Sequence, residues 1–190
     1  MPARRLIPSH IGTDICHIPR ILKTLQSTTG PRFIHRVLTP EEIQQPKSLR
    51  LLKPILDRTM DSQSDWRTAA QYMAGRFAAK EAIRKAHPHR PTTFHSIIIR
   101  NVSLPPTGSV GRQPQAEPAS SEALEIKAST ASGPPKALLK GSEEFDDIVV
   151  PISISHDTDY ATAACLGYVE ERHLEAFTAT YLGHDIPDPD

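Results

Sequence analysis

The sequence predicts an α+β fold, a small antiparallel sheet packed on one long helix, and three observations predict it. A proline-free, alanine-rich stretch from about 65 to 86 places Ala69, Tyr72, Met73, Phe77 and Ile83 close to helical spacing. β-Branched runs stand at both sides of it, beginning at Ile11 and at Phe94. Two further apolar runs, 148–155 and 160–169, are separated by His156-Asp157-Thr158-Asp159, which fits antiparallel strands joined by a polar turn.

Taken in order, Ile11-Gly12-Thr13-Asp14-Ile15-Cys16 reads as a short strand ending near an acid. A helix follows: Pro19 suits its first turn, Ile18, Ile21, Leu22 and Leu25 share a face, and Gly30-Pro31 ends it. Thr39-Pro40-Glu41-Glu42 carries a second helix start, with Thr39 as N-cap, Pro40 at the first helical position and Glu42 reaching back as in a capping box. In the long helix, Gly75 costs roughly 1 kcal/mol relative to alanine, which implies that something packs closely there. His87-Pro88 stops it. After the strand at 94–102 the composition changes: 105–136 holds many of the chain's 18 prolines with serine, alanine and glycine, and few large apolar groups to offset the entropy of ordering. It reads as an exposed, largely disordered insertion within one domain spanning 1–190.

Length supports that count, since 190 residues make one sizeable core and a short fit for two. Lys+Arg and Asp+Glu are both 22, so no global charge favours nucleic acid or a membrane surface as partner. Any electrostatic attraction must come from a local patch. Cys16 and Cys165 lie in apolar runs far apart and read as reduced, buried thiols. No apolar stretch reaches a membrane span, so a soluble chain is expected. Arg4 and Arg5 precede the first acid, Asp14, as in mitochondrial presequences, although strand-like sequence already begins at Leu6 or Ile11 and leaves little room for a cleavable one.

Chemistry concentrates in three places. Asp14 at a strand end either binds something or only caps a turn. In the segment 76–85, Lys80 lies four residues after Arg76 and Lys85 four after Glu81, which is either a solvated helix face or a set of charges for a polyanion. Gly75, Ala78, Ala79 and Ala82 leave space beside those charges and favour the second reading. Ser153-Ile154-Ser155-His156-Asp157 sets hydroxyls and an imidazole at the mouth of a strand pair, as a ligand site or as a turn held by its own side chains. One strand-end aspartate, one helix glutamate and several cations together suit a magnesium phosphate complex, because magnesium takes one or two carboxylates plus phosphates and waters. The nine histidines include His87-Pro88-His89 but no paired zinc spacing, and there is no Walker loop, GxGxxG or GxSxG.

Ile11-Gly12-Thr13-Asp14-Ile15, then Arg20-Ile21, Arg32-Phe33 with Thr39-Pro40-Glu41-Glu42, then Ala74-Gly75-Arg76-Phe77-Ala78-Ala79-Lys80-Glu81-Ala82 and Ser153-Ile154-Ser155-His156 resemble, in order, the holo-acyl-carrier-protein-synthase family of 4′-phosphopantetheinyl transferases. The resemblance covers about 11–168. It implies the small-sheet-on-long-helix fold of that family. It implies a magnesium-dependent transferase in which Asp14 and Glu81 hold the ion against the coenzyme A pyrophosphate. Arg76, Lys80, Lys85, Ser155 and His156 then lie on the coenzyme side, and Arg20, Arg32 and Arg36 face the acidic helix of an acyl carrier protein. It further implies a homotrimer with active sites between subunits, a place in fatty acid biosynthesis and lipid metabolism, and, with the Arg-bearing start and the insertion, a stand-alone fungal enzyme of the mitochondrial matrix, otherwise of the cytoplasm. The family's Gly-Lys-Pro turn is nearest matched by Gly133-Pro134-Pro135.

That chemistry needs a serine hydroxyl to attack the β-phosphorus of coenzyme A. Glu81, directly or through a metal-bound water, is the expected general base, and Lys85 stabilises the leaving phosphate. Two rivals stand beside it: a non-catalytic relative that only docks carrier proteins, against which both Asp14 and Glu81 argue, and another magnesium enzyme of phosphoryl or nucleotide chemistry.

Overall fold

The computed structural model describes residues 6–101 and 135–174. In chain order these are β1 (Leu6–His17), α1 (Ile18–Gln26), α2 (Gly30–Val37), α3 (Pro40–Ile43), α4 (Pro46–Leu56), α5 (Gln63–Ala86), a 3-10 turn (Phe94–Ser96), β2 (Ile97–Asn101), β3 (Pro135–Leu139), β4 (Ile148–Asp157), β5 (Tyr160–Glu170) and a second 3-10 turn (Glu171–His173). The strands form one antiparallel sheet in the order β1-β5-β4-β3-β2, and α5 packs across β1 and β5.

The close fit of helix to sheet rests on missing side chains. A Cβ at Gly12 would stand 1.9 Å from the carbonyl oxygen of Ala82, and one at Gly167 would stand 1.9 Å from that of Ala86. Both obstacles are backbone, so any larger residue forces the C-terminal half of α5 off the strands. Gly75 meets the softer Ile154 Cγ2 at 3.0 Å, which is the close packing its position implied.

Several expected boundaries move. The helix at Ile18 buries Ile18, Ile21 and Leu25, but it stops at Gln26, and Gly30-Pro31 opens α2 instead of ending α1. A proline in the first turn lacks only an N–H that has no partner there. The capping box at Thr39 forms, with Glu42 N donating to Thr39 Oγ1 and Thr39 N donating to Glu42 Oε2. Helix α4 has no counterpart among the elements expected from the sequence: Pro54 inside it breaks the pattern that Leu51, Leu52 and Ile55 carry. Phe94 belongs to the 3-10 turn and the strand starts at Ile97. Strand β3 corrects the far bound of the insertion expected over 105–136, since its Pro135 and Lys136 fall inside that stretch. The remainder of that insertion lies outside the described residues.

Both cysteines are buried free thiols. Burial pushes Cys165 up to about 12 and raises Cys16 as well, so both stay protonated and inert.

Histidines gather beyond the C-terminus of α5. His87 is fully buried, with Nδ1 against the carbonyl of Ile83 at 2.9 Å and Nε2 accepting from Tyr168 N at 3.2 Å. Burial first, then the charges of His87, Arg90, His173 and His10, pushes His89 down to about 4; burial also lowers His87. Both therefore fold neutral, and below about pH 6.5 the unfolded chain takes up their protons before the folded one does. Stability is expected to fall between about pH 6.5 and 4, by up to about 3 kcal/mol from His89. Denaturant titration at several pH values checks this, with a shallower slope expected in His89→Gln and an unchanged slope counting against it.

Candidate active site

Alternation along β1 turns Gly12, Asp14 and Cys16 toward α5 and leaves Ile11, Thr13 and Ile15 on the opposite face. Asp14 shares a cross-strand row with Ala163 of β5 and Ile154 of β4. From α5, Lys85 Nζ donates to Asp14 Oδ1 at 2.8 Å and to the carbonyl of Thr13 at 3.0 Å. The Asp14 side chain is 14% exposed and that of Lys85 55%, so this pair stands at the rim of an open groove. Thr13, Ser153, Ser155 and Thr162 add oxygen ligands to its lining. Glu81 lies one turn before Lys85 on α5, and both of its oxygens accept from Arg84 Nη1 at 3.3 Å.

A second groove of about 250 Å³ brings together Arg76 and His156. Lys47, Thr68, Gln71 and Tyr72 also line it. The guanidinium of Arg76 is buried, lies 5.1 Å from the Tyr72 ring centre and leaves Nη1 with no hydrogen-bond partner among the described residues. Lys47 Nζ stands 5.8 Å from the same ring. A buried cationic donor left without an acceptor is a costly arrangement that a bound anion relieves.

Lys80 is a correction. Its side chain is fully buried, with Nζ 2.5 Å from Glu42 Oε2 and 2.8 Å from the carbonyl of Phe94. Glu42, equally buried, also accepts from Thr39 N at 3.0 Å and Ile99 N at 3.1 Å. Burial pushes the lysine down while Glu42 opposes that shift. With internal partners on its ammonium and no surface of its own, Lys80 leaves the set expected to meet the coenzyme. Spacing alone put it on the face of Arg76, whereas Glu42 of α3 and the carbonyl of Phe94 in the 3-10 turn take up its ammonium.

Arg20 on α1 and Arg32 and Arg36 on α2 reach the surface. Arg20 stacks over Phe77 at 5.7 Å, and Phe77 in turn neighbours Phe33 and Phe94 at 6.4 and 5.5 Å. Sequence pattern does not single out Lys47, Tyr72 or Arg84 as site residues. Lys47 follows a helix-opening proline and looks like any solvent lysine; Tyr72 is legible only as core; Arg84 joins the site through its contact with Glu81.

A family model described as the 4′-phosphopantetheinyl transferase superfamily matches residues 10–165. A holo-[acyl-carrier-protein] synthase of Wolbachia sp. subsp. Brugia malayi is 30% identical over 153 residues, covering 80% of this chain and 90% of the relative. The protein named 4′-phosphopantetheinyl transferase B, mitochondrial, of Aspergillus fumigatus is 31% identical over 164 residues, covering 84% and 93%. Among solved structures, the acyl carrier protein synthase of Plasmodium yoelii with ADP bound superposes with a TM-score of 0.53 at 22% identity, over 87% of this chain and 97% of that one. That last likeness is one of fold.

Proposed function

The chain belongs to the 4′-phosphopantetheinyl transferase superfamily, and from that premise we propose that it moves 4′-phosphopantetheine from coenzyme A to a serine of an apo-acyl carrier protein, with magnesium, yielding the holo-carrier and adenosine 3′,5′-bisphosphate. The observation that carries the reading is the Asp14–Lys85 contact at 2.8 Å, one helical turn from Glu81 and at the rim of an oxygen-lined groove. Its donors fit magnesium, since carboxylates and hydroxyls are hard ligands and, among the described residues, neither thiolate nor imidazole lines that groove. Asp14 and Glu81 would hold the ion. When bound it supplies neutralisation of the pyrophosphate charge.

The chain's own residues do the rest. The serine oxygen forms a bond to the β-phosphorus while the bond from that phosphorus to the bridging oxygen breaks, and the electron pair leaves with the adenosine bisphosphate. Glu81, directly or through a water, takes the serine proton. Lys85 stands where the leaving phosphate gains charge, and Arg76, Ser155 and His156 hold the coenzyme's phosphates. Incubating the protein with apo-carrier, coenzyme A and magnesium tests the reading: a mass gain equal to one phosphopantetheine is expected on the carrier, and a carrier that is bound but unchanged would indicate docking without transfer.

Docking is assigned to Arg20, Arg32 and Arg36, because the formal net charge of zero leaves attraction of an acidic carrier to a local patch. Arg20→Glu is expected to raise the KM for carrier about tenfold and to flatten the salt dependence of the rate, with the KM for coenzyme A unchanged. Kinetics at two ionic strengths check it; weaker coenzyme A binding with normal carrier binding transfers Arg20 to the other substrate.

The functional unit we propose is a homotrimer with its sites between subunits. In support, Ile11, Ile15 and Val149 stand 74%, 63% and 58% exposed on the sheet face turned away from α5. Light scattering gives the assembly mass directly. The placement we propose is the mitochondrial matrix, in fatty acid biosynthesis; the word mitochondrial in the Aspergillus relative's name and Arg4-Arg5 support the organelle.

A further inference from the structure

Strand β4 ends at His156 and Asp157 and reverses into β5 through Thr158 and Asp159. Thr158 sits at φ 45°, in the left-handed region where a β-branched residue is a genuine outlier. Such a turn persists only when its surroundings hold it. Two contacts do so. Ile18 N, at the start of α1, donates to the carbonyl of Asp159 at 2.8 Å. Arg67 of α5 donates from Nη2 to the carbonyl of Thr158 at 3.0 Å, and the same nitrogen lies 3.5 Å from Asp159 Oδ1.

Arg67 immediately precedes Thr68, and Thr68, Tyr72 and Arg76 form the helix wall of the groove whose sheet wall carries His156. The grip of Arg67 therefore ties the two walls together where the hairpin turns. Both members of the Arg67–Asp159 pair are about half exposed, so the pair itself adds little to global stability. Its effect is local.

We infer that Arg67 is a positioning residue, which holds the β4–β5 turn so that His156 faces Arg76 and thereby sets the affinity for a phosphate-bearing substrate that it does not touch. This rests on the assignment of that groove to coenzyme A.

Steady-state kinetics of Arg67→Ala, Arg67→Lys, His156→Ala and the Arg67→Ala/His156→Ala pair test it. Arg67→Ala is expected to raise the KM for coenzyme A about fivefold, with kcat within about twofold and the KM for carrier unchanged. Arg67→Lys recovers part of the loss, since it keeps the charge but not the guanidinium's geometry. In the His156→Ala background, Arg67→Ala adds nothing further. Independent, multiplying effects in the double variant, or a KM for coenzyme A unaltered in Arg67→Ala while His156→Ala raises it, overturn the inference. An unaltered KM in His156→Ala instead overturns the coenzyme A reading of the groove, and the inference with it.

Discussion

Asp14→Ala and Glu81→Ala are each expected to lower transfer by at least about 10²–10³-fold while the chain stays folded. Asp14 and Glu81 are the two carboxylates assigned to the magnesium that the proposed reaction needs: Asp14 lines the groove at Lys85, and Glu81 stands one turn before Lys85 on α5. The two losses differ in character. Removing Asp14 frees Lys85 Nζ from its 2.8 Å partner and leaves it only the Thr13 carbonyl, whereas removing Glu81 frees Arg84 and also takes away the proposed base. Raising magnesium should therefore restore some activity to Asp14→Asn and none to Glu81→Gln. Neither residue belongs to the core, so far-UV circular dichroism and the unfolding temperature are expected to stay near those of the parent protein. Turnover within a factor of about two of normal in either alanine variant would remove that residue from the site.

The largest loss of stability is expected at Lys80. Deleting one partner of a buried, fully bonded pair leaves a charge with no water, at a cost of about 3–5 kcal/mol. Here the abandoned group is the Glu42 carboxylate, which sits between the backbone N–H groups of Thr39 and Ile99 and so joins α3 to β2. For a chain of this size Lys80→Met should lower the midpoint of thermal unfolding by on the order of 10 °C. The double variant Lys80→Met/Glu42→Gln is expected to lie closer to the parent than Lys80→Met does, because the amide still accepts a hydrogen bond without carrying charge. Calorimetry on the parent, Lys80→Met, Glu42→Gln and the double variant decides the matter: a double variant equal to the sum of the two singles would falsify the coupling. A loss of coenzyme A affinity with unchanged stability would return Lys80 to the cofactor set.

Features whose cause is local in the chain are legible in the residues themselves. The alanine-rich, proline-free run is α5 to within two residues of its start, the capping box at Thr39 forms as the Thr-x-x-Glu spacing requires, and the polar tetrapeptide at His156 turns one strand back on the next. Each depends on neighbours within a few residues. The order of Asp14, Glu81 and His156 along the chain also carries the family resemblance, because those residues fall in short, recognisable strings.

Other features depend on what comes to lie against a residue from far along the chain. Strand β3 has only five residues and follows a proline-rich stretch, yet β2 and β4 on either side satisfy its backbone and make it a strand. Lys80 and Lys85 sit on the same helix with the same side chain, and nothing in the sequence near them separates their fates. Lys80 meets Glu42, 38 positions away, inside the protein. Lys85 meets Asp14, 71 positions away, at the rim of a groove. Arg67, in sequence one more helix cation, reaches 91 positions to the turn beside His156. A charge's chemistry is set by its solvation and its nearest partner, and both of these are fixed only when the elements close on one another.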